Sequence, residues 1–132
     1  MRIISGIFKG SKLFMAEKKT TRPLKDGVRE GIFNLLTHSN KILFSLEKSN
    51  ILDLYAGTGS FGLECLSRKA AFTYFIENEK DAFDILEKNI KKLKIEKKTK
   101  FFLNDTFEFL KKKINLNLKF DIIFCDPPFE SQ

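Results

Sequence analysis

From residue 50 onward, four short apolar runs alternate with helical patterns. Residues 51–55, 72–76, 100–103 and 120–125 read as strands. Residues from the loop at 56–60 to about Lys69, 81–93 and 106–113 read as helices. In the second of these helices Ala82, Ile85, Leu86, Asn89 and Leu93 recur at helical spacing. Strands that alternate with helices argue for a parallel sheet covered on both faces. The expected fold is therefore α/β, with a mostly parallel sheet of Rossmann type. The 132 residues, 42% of them hydrophobic, fit one domain with a real core. With 15 Phe and no Trp, phenylalanine is expected to fill much of it.

The first 41 residues have a different character. Ile3-Ile4 and Leu13-Phe14 flank a turn-rich stretch bounded by Gly6 and Gly10, which reads as a short strand pair. A polar link leads to Pro23, and a helical pattern follows with Val28, Ile32, Phe33 and Leu36 on one face. Gly27 and Gly31 weaken that helix by up to about 1 kcal/mol each. The net charge is +7, and residues 1–41 hold nine Lys/Arg against three acids, so six of the seven charges lie there. Clustered cations suit a polyanion, because they release counterions from phosphates. A lysine-rich, merely solvated surface is the competing explanation. The chain thus divides into a basic N-terminal hairpin and helix, residues 1–41, and an α/β core, residues 42–132.

Other chemistry is less favoured. Cys65 and Cys125 are far apart with no CxxC partner, so neither a zinc site nor a disulfide framework is legible. The single histidine, His38, argues against histidine catalysis or metal ligation. No apolar run reaches the length of a membrane span, and the N-terminus lacks the apolar region of a signal peptide. A cytoplasmic protein without metal or membrane is expected.

In open α/β sheets, ligands sit beyond the carboxyl ends of the strands. The informative residues of this chain fall there. Asp53 leads into Ala56-Gly57-Thr58-Gly59-Ser60, a strand–glycine loop–helix passage where backbone approaches a ligand closely and a helix N-terminus offers N–H groups. A glycine turn alone is a weak signal. The second strand ends at Glu77, suited to the ribose hydroxyls of an adenosine cofactor, or else an ordinary exposed acid. The third ends at Asn104-Asp105, where a carboxylate suits an adenine amine, caps the following helix, or does both. The loop lacks a P-loop lysine. Asp53 at the glycine turn favours a cationic ligand group such as the methionine ammonium of S-adenosyl-L-methionine.

Asp126-Pro127-Pro128-Phe129, after the fourth strand, is the most specific signal. Two prolines remove two donors and fix both φ angles, leaving carbonyls rigidly presented beside a carboxylate. With the aromatic they form a slot for a flat base that carries an amine. Asp126 and the Pro127 carbonyl accept the two amine hydrogens and Phe129 stacks on the ring. A Pro-Pro stop after a strand is the bland alternative.

The chain resembles the bacterial 16S ribosomal RNA guanine-N2 methyltransferases over nearly its whole length. Arg2 to Gly6, Lys9-Gly10 and Lys12-Leu13 are similar to that family's N-terminal hairpin. Thr21-Arg22-Pro23, Val28-Arg29-Glu30 and Phe33-Asn34 are similar to its RNA-side helix. The cofactor loop, Leu52 through Gly62, and Asp126-Pro127-Pro128-Phe129 complete the match. The resemblance implies a class I S-adenosylmethionine-dependent methyltransferase fold. It implies that Asp53, Gly57 and Gly59 hold the methionine end of the cofactor, Glu77 the ribose and Asp105 the adenine. Asp126 and Pro127 hold the guanine amine, with Phe129 against the ring. Arg2, Lys9, Lys12, Arg22, Lys25 and Arg29 are its candidate phosphate contacts. The implied partner is ribosomal RNA or a small-subunit ribosomal particle. The family continues with further strands beyond the catalytic motif. The expectation is therefore a core incomplete after the fourth strand, from a truncated gene, a split gene or a chain completed by a protein partner. A non-catalytic remnant that binds cofactor or RNA is one alternative. An adenine-N6 or cytosine-N4 nucleic-acid methyltransferase is the other.

Overall fold

The computed structural model describes residues 1–16, 26–38, 45–113 and 118–128. Its elements are α1 (Asp26–His38), β1 (Asn50–Leu54), α2 (Ser60–Ser67), β2 (Phe72–Glu77), α3 (Lys80–Leu93), β3 (Thr99–Leu103), α4 (Thr106–Lys113) and β4 (Ile122–Cys125). The four strands form one sheet in the order β3-β2-β1-β4, and every pairing is parallel. The α/β alternation expected from the sequence is what the structure contains. Leu54 is paired with Ile76 on one side and Cys125 on the other, and Glu77 with Leu103. The carboxyl ends of the strands are therefore level with one another.

Side chains alternate across a strand, and the two faces are filled separately. Ile51 and Phe75 belong to the larger core, with Phe61, Leu63 and Leu66 of α2, Leu86 and Ile90 of α3, Phe33 of α1, and Ile3 and Leu13 of the N-terminal arm. Leu52, Leu54 and Ile76 face the other way and pack with Phe109 of α4, against Tyr74, Phe102 and Phe120. Phenylalanine contributes Phe33, Phe61, Phe75 and Phe109 to the buried core, although leucine and isoleucine are more numerous there. Phe61 stacks on Phe33 at 5.1 Å and on Phe124 at 3.9 Å, joining α2 to α1 and to β4.

Two expectations at the N-terminus are corrected. The strand pair is reduced to one antiparallel bridge, Arg2 with Lys12, reinforced where Ile3 N–H donates to Ser11 and Leu13 N–H to Met1. The ladder stops because the amides of Ile4 and Ser5 donate to the Glu64 carboxylate of α2 instead. The arm also passes so close to α2 that a Cβ on Gly6, at φ +89°, would stand 2.0 Å from the Ser67 carbonyl oxygen. In α1, Ile32, Phe33 and Leu36 do face the core, but Val28 is 52% exposed and Arg29 is buried in its place.

Candidate active site

Beyond β1 the backbone turns sharply. Tyr55, Gly57 and Gly59 all have left-handed φ values, of 56°, 59° and 95°. The turn is pinned by Ala56 N–H donating to Ile76 C=O and by Gly59 N–H donating to Ala56 C=O, each at 2.9 Å. At Gly59 a side chain is excluded by space as well as by φ, because a Cβ would meet Leu86 Cδ1 at 2.5 Å. The loop therefore lies against α3 and delivers the chain into α2.

Three acids surround this turn. Asp53 is on the same pleat face as Ile51 and points toward α2, where its Oδ2 accepts from Gly62 N–H at 3.0 Å. Only 1% of it is exposed. Burial, with the negative charges of Glu77 and Asp126, pushes its carboxyl up to about 8, against the opposing pull of the Gly62 N–H. Glu77 ends β2 and is buried; its Oε1 accepts from Gly57 N–H at 2.7 Å and its Oε2 from Glu79 N–H at 2.9 Å. Asp126 follows Cys125, the β4 partner of Leu54, and is half-buried, with Pro127 and Pro128 exposed beyond it. Asp53 stands beside Phe75 and Phe124 in the sheet register, and Glu77 and Asp126 each lie two residues beyond those partners, so all three acids stand near the carboxyl ends of adjacent strands.

The remaining expected residues are placed as follows. Asp105 is exposed at the end of β3, and its Oδ2 accepts from Phe107 N–H at 3.0 Å and Glu108 N–H at 3.2 Å, so it caps α4. Arg2, Lys9 and Lys12 are exposed on the N-terminal arm. Phe129, Arg22 and Lys25 lie outside the described residues. Arg29 is corrected: it is fully buried and cannot lie on a phosphate-facing surface. Its guanidinium donates to Arg2 C=O and, at 3.5 Å, to Ser60 C=O, and lies 4.0 Å from Glu64 Oε1. A buried guanidinium is stable only with such partners.

Sequence reasoning missed the polar network that seats the arm. Glu64, fully buried, accepts from Ile4 N–H, Ser5 N–H and Arg68 Nε. Ser67 Oγ accepts from Phe8 N–H and donates to Ser5 C=O. Asn89 of α3 joins Phe14 to Thr58. The only signal was a polar residue on an otherwise apolar helix face, visible at Asn89 among Ala82, Leu86 and Leu93.

Comparison with known proteins adds the following. Residues 1–132 match the family model described as conserved hypothetical protein 95. Ribosomal RNA small subunit methyltransferase D of Haemophilus influenzae is 37% identical over 130 residues, which are 98% of this chain and 64% of that protein. The protein of the same name from Buchnera aphidicola is 39% identical over 127 residues, covering 96% and 62%. Among solved structures, "Putative methyltransferase yhhF from Escherichia coli" superposes with a TM-score of 0.78 at 32% identity, covering 98% of this chain and 64% of that one. The chain spans a little over three fifths of the length of these relatives.

Proposed function

The chain belongs to the conserved hypothetical protein 95 family, and on that premise we propose that it transfers methyl from S-adenosyl-L-methionine to the exocyclic N2 of a guanine in 16S ribosomal RNA. The observation that supports the reading is the parallel register, which brings Asp53, Glu77 and Asp126 to the carboxyl ends of three adjacent strands. The names of the relatives support the coarser part of this reading, methylation of small-subunit ribosomal RNA.

The residues present fit a cationic adenosine cofactor. A buried carboxyl held up to about 8 beside two further acids makes a cleft that gains by accepting positive charge. Asp53 with the Gly57–Gly59 turn holds the methionine end. Glu77 holds the ribose, and its present bonds to the amides of Gly57 and Glu79 keep its carboxylate fixed beside the loop. Asp105 serves the adenine while capping α4. When bound, the cofactor supplies an electrophilic methyl on a sulfonium.

A guanine N2 is a poor nucleophile, because its lone pair is delocalised into the ring. The Asp126 carboxylate and the Pro127 carbonyl accept both amine hydrogens, orient the lone pair, and stabilise positive charge as it develops on nitrogen. Phe129 holds the ring plane. Alignment of the two reactants supplies much of the remaining acceleration. The base must leave its stack, which costs least in single-stranded or loop RNA. Residues 1–41 serve as the RNA-side extension, with Arg2, Lys9 and Lys12 on its described surface and Arg22 and Lys25 beside them in sequence. The partner is ribosomal RNA, free or in a small-subunit particle.

The test is to methylate small-subunit RNA with labelled cofactor and identify the product nucleoside. N2-methylguanosine is expected. N6-methyladenosine or N4-methylcytosine would overturn the guanine assignment. Asp126→Ala should abolish transfer and leave cofactor affinity within a few fold; full activity in that variant would remove Asp126 from the mechanism.

A further inference from the structure

Asn89 lies fully buried on the core face of α3, where an apolar residue would satisfy the helical pattern. All of its polar contacts go to the backbone of two other segments. Its Oδ1 accepts from Phe14 N–H at 2.7 Å, and its Nδ2 donates to Phe14 C=O at 3.1 Å and to Thr58 C=O at 2.9 Å. Both amide hydrogens are used, one on the N-terminal arm and one on the glycine loop. Arg29 makes a parallel tie from α1, with Arg2 C=O at one end and Ser60 C=O at the other. Thr58 and Ser60 are the two neighbours of Gly59. The loop is thus held on both sides by buried side chains whose other ends grip the arm.

We propose that Asn89 is a positioning residue that transmits docking of the N-terminal arm to the glycine loop, so that the arm's hold on RNA and the loop's hold on the cofactor strengthen together. The ligands named here rest on the function proposed above; the mechanical link does not. With the arm docked, Phe14 fixes the Asn89 amide by two hydrogen bonds, and the third is aimed at Thr58. With the arm displaced, one amide hydrogen and the carbonyl oxygen lose their partners in a buried place, and the amide no longer has a single orientation. The coupling is reciprocal: whatever RNA adds to the loop, cofactor adds to the arm.

Amide hydrogen exchange on the 132-residue chain, without ligand, tests the link. The readouts are Gly57 and Gly59, whose N–H groups are bonded to Glu77 and Ala56. Asn89→Leu should accelerate their exchange about tenfold, the worth of one hydrogen bond, relative to Phe75 in the sheet centre. Phe14→Pro removes an arm donor, leaves Asn89 in place, and should do the same; it carries the test if Asn89→Leu fails to fold. Lys91→Met is the control. It cuts an exposed ion pair with Glu87 on the same helix, touching neither the arm nor the loop, and should leave loop exchange within about twofold. Unchanged loop exchange in the first two variants, or equal acceleration in Lys91→Met, overturns the proposal. In parallel, S-adenosylhomocysteine affinity should fall about tenfold in Asn89→Leu. Absence of binding to the unaltered chain would defeat the proposed function, and the exchange result would still decide the role of Asn89.

Discussion

Asp53 is buried, bonded to the Gly62 amide and subject to the negative charges of Glu77 and Asp126. Its carboxyl rises from the ordinary 3.8 to about 8 on folding. Between those two values the folded chain keeps a proton that the unfolded chain has lost, so this group makes stability fall as pH rises from about 4 to about 8. Asp53→Asn should flatten that part of the profile and be more stable than the parent at alkaline pH. Urea midpoints taken across the range check this; an unchanged slope would show that Asp53 is ionised throughout. A cation in the cleft favours the carboxylate, so cofactor binding below this pKa should expel a proton. Calorimetry in buffers of different ionisation enthalpy reads that release, which Asp53→Asn should lose. Acids such as Asp53 and Glu77 were legible because they stand at the tips of apolar runs. Arg29 and Asn89 were not, because their burial depends on Glu64, Phe14 and Thr58, far away in the sequence.

Among the elements, the arm and α1 depart furthest from their sequence pattern. Periodicity marks which positions repeat, but it places Arg29 outside and Val28 inside. A guanidinium with an acid and two carbonyls awaiting it reverses that order, and Val28 is turned out. The arm likewise gives up strand pairing because a carboxylate on α2 offers its amides a better acceptor. Glu64 is the hub of both departures. Glu64→Gln leaves the Arg29 charge buried beside a neutral amide and weakens the bonds to Ile4 and Ser5. A loss of about 3–5 kcal/mol is expected, the usual cost of breaking a buried pair. Chemical denaturation measures it directly, and a loss below about 1 kcal/mol would reduce the network to the rank of a surface pair. The βα elements from residue 50 onward were readable within a residue or two at their ends, because local apolar runs and the glycine loop suffice to define them.

At the scale of the whole molecule, parallel pairing does what no single element does: it levels the ends of β1, β2 and β4 and so gathers acids that are 24 and 49 residues apart in the chain. The order β3-β2-β1-β4 followed from neither composition nor motif, since strand order is set by crossovers and packing. The basic arm lies against α2 and α3, the helices that flank the glycine loop. If Lys9 and Lys12 each neutralise a phosphate, changing both to Gln should lower the slope of log affinity against log salt by about 1.5. An unaltered slope would leave them as a solvated surface. The claim on which the account depends is that the cleft grips adenosine through Glu77 while Asp126 serves the acceptor base. Calorimetric titration of S-adenosyl-L-methionine into Glu77→Gln and Asp126→Ala separates the two roles. Affinity should drop at least about tenfold in the first and stay within a few fold in the second; the reverse order, or no difference between them, would overturn both assignments.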